Sequence, residues 1–192
     1  APLSRDDLYR KTIADDNKKI VLSNQFRIEK SRYIDDQKHL KIQKSIFPLF
    51  YGSTIIHINE CSTIAAAISY NEKHAGMKKI CILNFASSTK PGGGYLNGRG
   101  AQEETLCRQT LLYPTLKGNF MYAFNKSNGS KPEGSDSMIY SPNVHVIRDD
   151  NYNRIRPFTV NVISSPAVDN RSGNIHHSKE IMENRIRKII LL

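Results

Sequence analysis

Apolar and polar positions along this chain follow two periods, and the strand-like one is clearest at Lys79–Ala86. That stretch, KICILNFA, is an apolar run broken by the single polar residue Asn84, the pattern of a strand covered on both faces. Shorter alternating runs predict strands at Ile20–Ile28, Thr54–Asn59 (TIIHIN), Met138–Tyr140, Val144–Ile147 and Phe158–Ser164 (FTVNVIS). Helical spacing predicts a first helix over residues 5–19, an alanine-rich one over Ser62–Lys73, and one over Ala101–Tyr113 that Pro114 stops. A last helix is expected behind Ser178 as its cap, with Ile181, Met182, Ile186, Ile189 and Ile190 recurring at helical spacing. Residues 31–45 are charged and ambiguous, and 125–137 read as a polar loop. Strands alternating with helices place the chain in the α/β class, with a parallel or mixed sheet.

With 192 residues the chain is long enough for one domain with a core and too short for two large ones. Residues 1–50 read as its N-terminal helical and extended region. No 18-residue apolar run spans a membrane, and the first residues carry no apolar segment of a signal peptide. Three cysteines, Cys61, Cys81 and Cys107, form no CxxC pair, which argues against a disulfide framework or a zinc site and points to a reducing, cytoplasmic setting. Lys plus Arg exceed Asp plus Glu by 28 − 18, a net charge of +10 that favours polyanionic partners and serves solubility equally well. The basic residues are dispersed and no nucleic-acid motif is present. The chain ends in RIRKIILL, in mid-pattern, so part of the domain is expected to lie beyond it.

The candidate chemistry follows the strongest strand. KICILNFA runs into SSTKPGGGYLNGRG and then a helix that opens AQEE. In open α/β sheets ligands bind beyond the carboxyl ends of strands, and glycines there let backbone approach a ligand closely. A P-loop is excluded because Lys90 precedes the glycines, and a GxGxxG fingerprint is absent. Gln102, Glu103 and Glu104 fall in the first helical turn, where acids also serve simply to complement the helix dipole. Adjacent helical residues point about 100° apart, so the two glutamates cannot share one task equally. An acid at a helix N-terminus is held ionised by the dipole; burial, a second carboxylate and an anionic ligand work the other way.

This motif, GGG, seven residues, then QEE, resembles the signature of the bacterial-type poly(ADP-ribose) glycohydrolases. The likeness extends over ILNFASSTKPGGGYLNGRGAQEETLCRQTLLYPTL (82–116), MIYSPNVHVIRDD (138–150) and VNVISSPAVDNR (160–171), and more weakly over TIADDNKKI. It implies a macrodomain-like three-layer α/β/α fold with a central mixed sheet. It implies an enzyme that cleaves ribose–ribose O-glycosidic bonds, with Glu104 as catalytic acid/base and Glu103 holding ribose hydroxyls. Gln102 would support the site, Gly92, Gly93 and Gly94 would wrap the diphosphate and distal ribose with backbone amides, and Asn84 would contact ribose or brace the loop. No metal or cofactor is implied.

The expected partners are ADP-ribose, poly(ADP-ribose) and ADP-ribosylated proteins, for a monomeric chain that binds neither membrane nor nucleic acid. A non-catalytic ADP-ribose-binding macrodomain module is the alternative. Val168-Asp169-Asn170 departs from the family's Pro-Asn after Pro166-Ala167, and the family continues past the last helix with a second glycine-containing loop. Lys90, Tyr95 and Phe85 flank the glycine loop as possible ligand contacts or as packing residues, Cys107 reads as a core residue, and His176-His177 as loop residues before the last helix.

Overall fold

The structure is a computed structural model in which residues 3–35, 55–128, 134–168 and 175–190 are described. Ser4 opens the first helix, α1 (Arg5–Leu22), with a capping box: Ser4 Oγ accepts the Asp7 N–H while the Asp7 carboxylate accepts the Ser4 N–H. The helix runs three residues past the expected end, so no strand forms over Ile20–Ile28. Ser23 caps α1 and Asn24 adopts φ 54° to turn the chain. The apolar spacing there reflects a helix end and a loop, because Ile20, Val21, Phe26 and Ile28 cluster around Leu111 and Ile147.

The remaining elements are β1 (Arg32–Ile34), α2 (Thr63–Lys73), β2 (Cys81–Ala86), a 3₁₀ turn (Tyr95–Asn97), α3 (Gln102–Gln109), α4 (Leu112–Leu116), α5 (Phe120–Ser127), β3 (Met138–Arg148), β4 (Arg154–Pro166) and α6 (Ile175–Ile190). Among the described residues the four strands form one mixed sheet in the order β1-β3-β4-β2. β2 is parallel to β4, from Cys81↔Asn161 to Ala86↔Pro166, and β3 is antiparallel to both β1 and β4. The α/β class with a mixed central sheet is as expected. Ile64 of α2, Leu106 and Cys107 of α3, Leu112 of α4 and Met121 of α5 pack with Ile82, Ile139, Val146 and Val162 of the sheet into the main core.

Several boundaries differ from the sequence reading. Thr54 lies outside the described residues, and the following Ile55–Asn59 joins no strand, with Ile58 93% exposed. β-branched residues make a strand only where a partner edge accepts their hydrogen bonds. The two runs from Met138 to Ile147 are one strand: its register slips between Ser141 and Val144, where Pro142 and Asn143 (φ 49°) form an irregularity that both halves survive. The helix expected over Ala101–Tyr113 breaks earlier, at Thr110, whose backbone turns extended and bridges Val146, while the Leu111 N–H donates to His145 O at 2.9 Å. Pro114 then sits in the first turn of α4, where a missing N–H leaves nothing unpaired. Residues 125–127 of the expected loop finish α5. Helix α6 begins at Ile175, so Ser178 lies inside it and is not its cap.

Candidate active site

β2 buries Ile82, Asn84 and Ala86 on one face and ends at the loop that leads to the glycines. Gly92 (φ 67°) and Gly93 (φ 55°) both take the left-handed conformation, which an L side chain adopts only at a cost. At Gly93 a side chain is also excluded by space, since a Cβ would lie 2.5 Å from Glu104 Oε1 and 3.1 Å from Glu103 Oε2. The loop then returns through the 3₁₀ turn to Ala101, which starts α3 without a side-chain cap. The first turn of α3 thus meets the glycine loop directly.

The structure brings Gln102, Glu103 and Glu104 together at the end of β2 and gives each a different set of partners. Gln102 clamps the edge of the sheet: its Oε1 accepts the Phe85 N–H (2.8 Å) and its Nε2 donates to Leu83 O (2.9 Å). Glu103, 4% exposed, accepts the Ser87 N–H on Oε2 (2.8 Å) and the Gly92 N–H on Oε1 (3.1 Å). Burial pushes its carboxyl up to about 7, against the pull of those two donors and of the Asn84 side chain and with some help from the neighbouring Glu104 charge. Glu104, 8% exposed, accepts the Gly94 N–H on Oε1 at 2.7 Å. Its other oxygen, Oε2, is buried with no hydrogen-bond partner among the described residues. Asn84, wholly buried, donates to Ser164 Oγ (2.9 Å) and leaves its Oδ1 without a hydrogen-bond partner among the described residues.

All three glycine N–H groups point into the protein: Gly92 to Glu103, Gly93 to Lys90 O (2.9 Å) and Gly94 to Glu104. The Gly92 and Gly94 amides therefore hold the two acids in place, and the Gly93 amide closes a turn on Lys90. Of the flanking residues, Tyr95 is buried, with its ring 5.0 Å from that of Tyr113, so it packs beneath the loop. Phe85 and Lys90 are exposed. Cys107 is fully buried, and burial pushes its thiol well above its ordinary value, the state of an inert core cysteine. His176 and His177 belong to the first turn of α6, and their side chains lie outside the described residues. Among the described residues no group of three or more His, Cys, Asp or Glu side chains could hold a metal ion, and no helix is long and apolar enough to cross a membrane.

Sequence reasoning missed the residues that brace this site from behind. Arg108, one helical turn after Glu104, is fully buried and donates to Arg99 O (2.8 Å), Tyr152 Oη (2.9 Å) and Thr105 Oγ1 (3.3 Å). Asn17 of α1 donates to Arg108 O (2.8 Å) and Cys107 O (3.2 Å), carbonyls in the last turn of α3, and accepts from Arg148 Nε (3.2 Å). Arg148 also pairs with Asp16. A helical arginine normally reads as solvated. The one available signal was the i, i+4 spacing that puts Arg108 on the face of Glu104.

The family described as "Microbial-type PARG, catalytic domain" matches residues 8–149 of this chain. No curated protein matches it. Among solved structures, the poly(ADP-ribose) glycohydrolase (PARG) of Thermomonospora curvata is 29% identical with a TM-score of 0.82, covering 95% of this chain and 74% of its own. The same enzyme bound to the inhibitor ADP-HPD is 28% identical (TM-score 0.81, 95% of this chain and 73% of its own). The PARG of Deinococcus radiodurans in complex with ADP-ribose is 29% identical (TM-score 0.70, 84% of this chain and 66% of its own).

Proposed function

The chain belongs to the family of microbial-type PARG catalytic domains, and from that premise we propose how its residues hydrolyse the ribose–ribose O-glycosidic bonds of poly(ADP-ribose) to release ADP-ribose. Glu104 is the acid/base. The observation that carries this is the asymmetry of its carboxyl group: Oε1 is fixed by the Gly94 N–H, whereas Oε2 is desolvated and unpartnered. A proton on Oε2 passes to the leaving ribose oxygen as the glycosidic bond breaks and its electron pair moves onto that oxygen. The resulting oxocarbenium-like centre takes up water, whose proton returns to Glu104.

Glu103 holds the loop through Ser87 and Gly92, and its remaining lone pairs face ribose hydroxyls as acceptors. With a carboxyl at about 7, it retains part of its proton near neutral pH. Gln102 supports both acids by fixing α3 to β2. Asn84 presents its free Oδ1 toward a ribose hydroxyl, and Gly92–Gly94 admit the diphosphate and ribose by having no side chains. We also read the chain as one macrodomain-like domain, monomeric and cytoplasmic, with ADP-ribosylated proteins as carriers of its substrate. The free cysteines Cys61, Cys81 and Cys107 support the compartment.

The test pairs a hydrolysis assay on poly(ADP-ribose) with calorimetry on free ADP-ribose. Binding together with release of ADP-ribose is the expected result. Binding without release would make the chain a non-catalytic ADP-ribose module, and no binding would overturn both readings.

A further inference from the structure

Arg108 is wholly buried, yet among the described residues its donors go only to neutral acceptors: the Arg99 carbonyl, the Tyr152 hydroxyl and the Thr105 hydroxyl. Its guanidinium also lies 5.4 Å from the centroid of the Tyr152 ring. None of the ion pairs among the described residues includes Arg108. A cation desolvated without a counter-charge is costly to bury, and a neutral side chain could anchor one carbonyl at lower cost.

The partners of Arg108 suggest what it does. Its Nη1 holds Arg99 O at 2.8 Å, and the Arg99 N–H holds Gly94 O at 3.2 Å. The Gly94 N–H in turn holds Glu104 Oε1 at 2.7 Å, and Glu104 and Arg108 are joined by one turn of α3. These links form a closed ring that begins and ends on Glu104. The side chain of Arg99 lies against Gly94 as well, where a Cβ would fall 2.8 Å from Arg99 Cβ, so these two loop residues are packed together.

We propose that Arg108 is a positioning residue for the acid/base: through the Arg99 carbonyl it sets the Gly94 N–H against Glu104 Oε1, so that Oε2 is the oxygen left free for proton transfer. The inference rests on the assignment of Glu104 made above. Being wholly buried, Arg108 acts through the residues it holds. A planar guanidinium is suited to this because it directs three bonds at fixed angles, which the ammonium of lysine does not reproduce.

The experiment compares Arg108→Lys and Tyr152→Phe with the parent on poly(ADP-ribose). Arg108→Lys keeps the charge and loses the fork. It should lower kcat by on the order of 10- to 100-fold, with KM and the ADP-ribose Kd within about twofold of the parent. Tyr152→Phe removes one acceptor of Arg108 and leaves the Arg99 bond, so its kcat should stay within about twofold of the parent. An unchanged kcat in Arg108→Lys, an equal loss in Tyr152→Phe, or a kcat loss matched by lost ADP-ribose affinity would overturn the proposal. Amide hydrogen exchange on the parent gives a second arm that needs no variant. The Gly94 N–H should be protected, and exchange at the rate of an open loop amide would remove the link on which the ring depends. If Arg108→Lys does not fold, that arm decides. An inactive parent would count against the hydrolase reading, whereas the exchange result addresses the ring alone.

Discussion

At Glu103 a backbone-bonded carboxylate is desolvated enough to hold its proton to about 7, against an ordinary value of 4.5. Between those two values the folded chain keeps a proton that the unfolded chain has released, so stability falls as pH rises through this window and levels off above it. The shift corresponds to on the order of 3 kcal/mol. Chemical denaturation from pH 5 to pH 8 should therefore show a falling limb in the parent that is absent in Glu103→Gln, and parallel curves would contradict the burial argument. Gly93 makes a second residue-scale prediction. Gly93→Ala puts a methyl group 2.5 Å from Glu104 Oε1, at a left-handed position. It should cost about 1–2 kcal/mol of stability and lower kcat by on the order of 100-fold; an alanine variant with parental kcat would refute the contact. The glycines and acids were legible because their spacing is local. Asn84 was visible as the one polar break in an apolar run. Arg108 and Asn17 were not, because their partners come from segments up to 131 residues away.

The helices that open at Ser4 and Ser62 were read well, since both side chains accept N–H groups from the first turns, whereas α5, which opens at the cap Asn119, was not read. Ends decided by tertiary contact were not. Nothing local marks Thr110 as the break in α3; its backbone leaves the helix to bridge Val146 of β3, and Pro114, the apparent stop, is harmless in the next first turn. TIIHIN misled for the converse reason, because its β-branched residues carry a propensity that no neighbouring strand takes up among the described residues. The join between α3 and β2 depends on Gln102, which occupies the Phe85 N–H and Leu83 C=O on the outer edge of β2. Gln102→Ala leaves both groups to partial solvation, for a loss of about 1–2 kcal/mol in urea unfolding. A change below about 0.5 kcal/mol, the ordinary range for a surface substitution, would show that the clamp is dispensable.

Across the whole molecule, α1 is fastened behind the site by contacts that composition does not reveal. Gly98 (φ 78°) brings the loop so close to α1 that a Cβ would fall 2.1 Å from Asp7 O. Asn17 ties the same helix to the end of α3 and to Arg148 of β3. Asn17→Ala strands those buried groups and should cost about 2–4 kcal/mol, read as a lower urea midpoint; a midpoint equal to the parent's would contradict the role given to α1. The net charge of +10 suits a polyanionic substrate, although it selects none by itself. The α/β class and the strand–loop–helix site were therefore legible from pattern and motif, while the packing that holds the two acids apart required the fold. The most direct test of the account is Glu104→Gln, assayed for ADP-ribose release from poly(ADP-ribose) beside calorimetry with ADP-ribose. We expect kcat to fall by roughly 10²- to 10⁴-fold while ADP-ribose still binds; a variant that releases ADP-ribose as fast as the parent would contradict it.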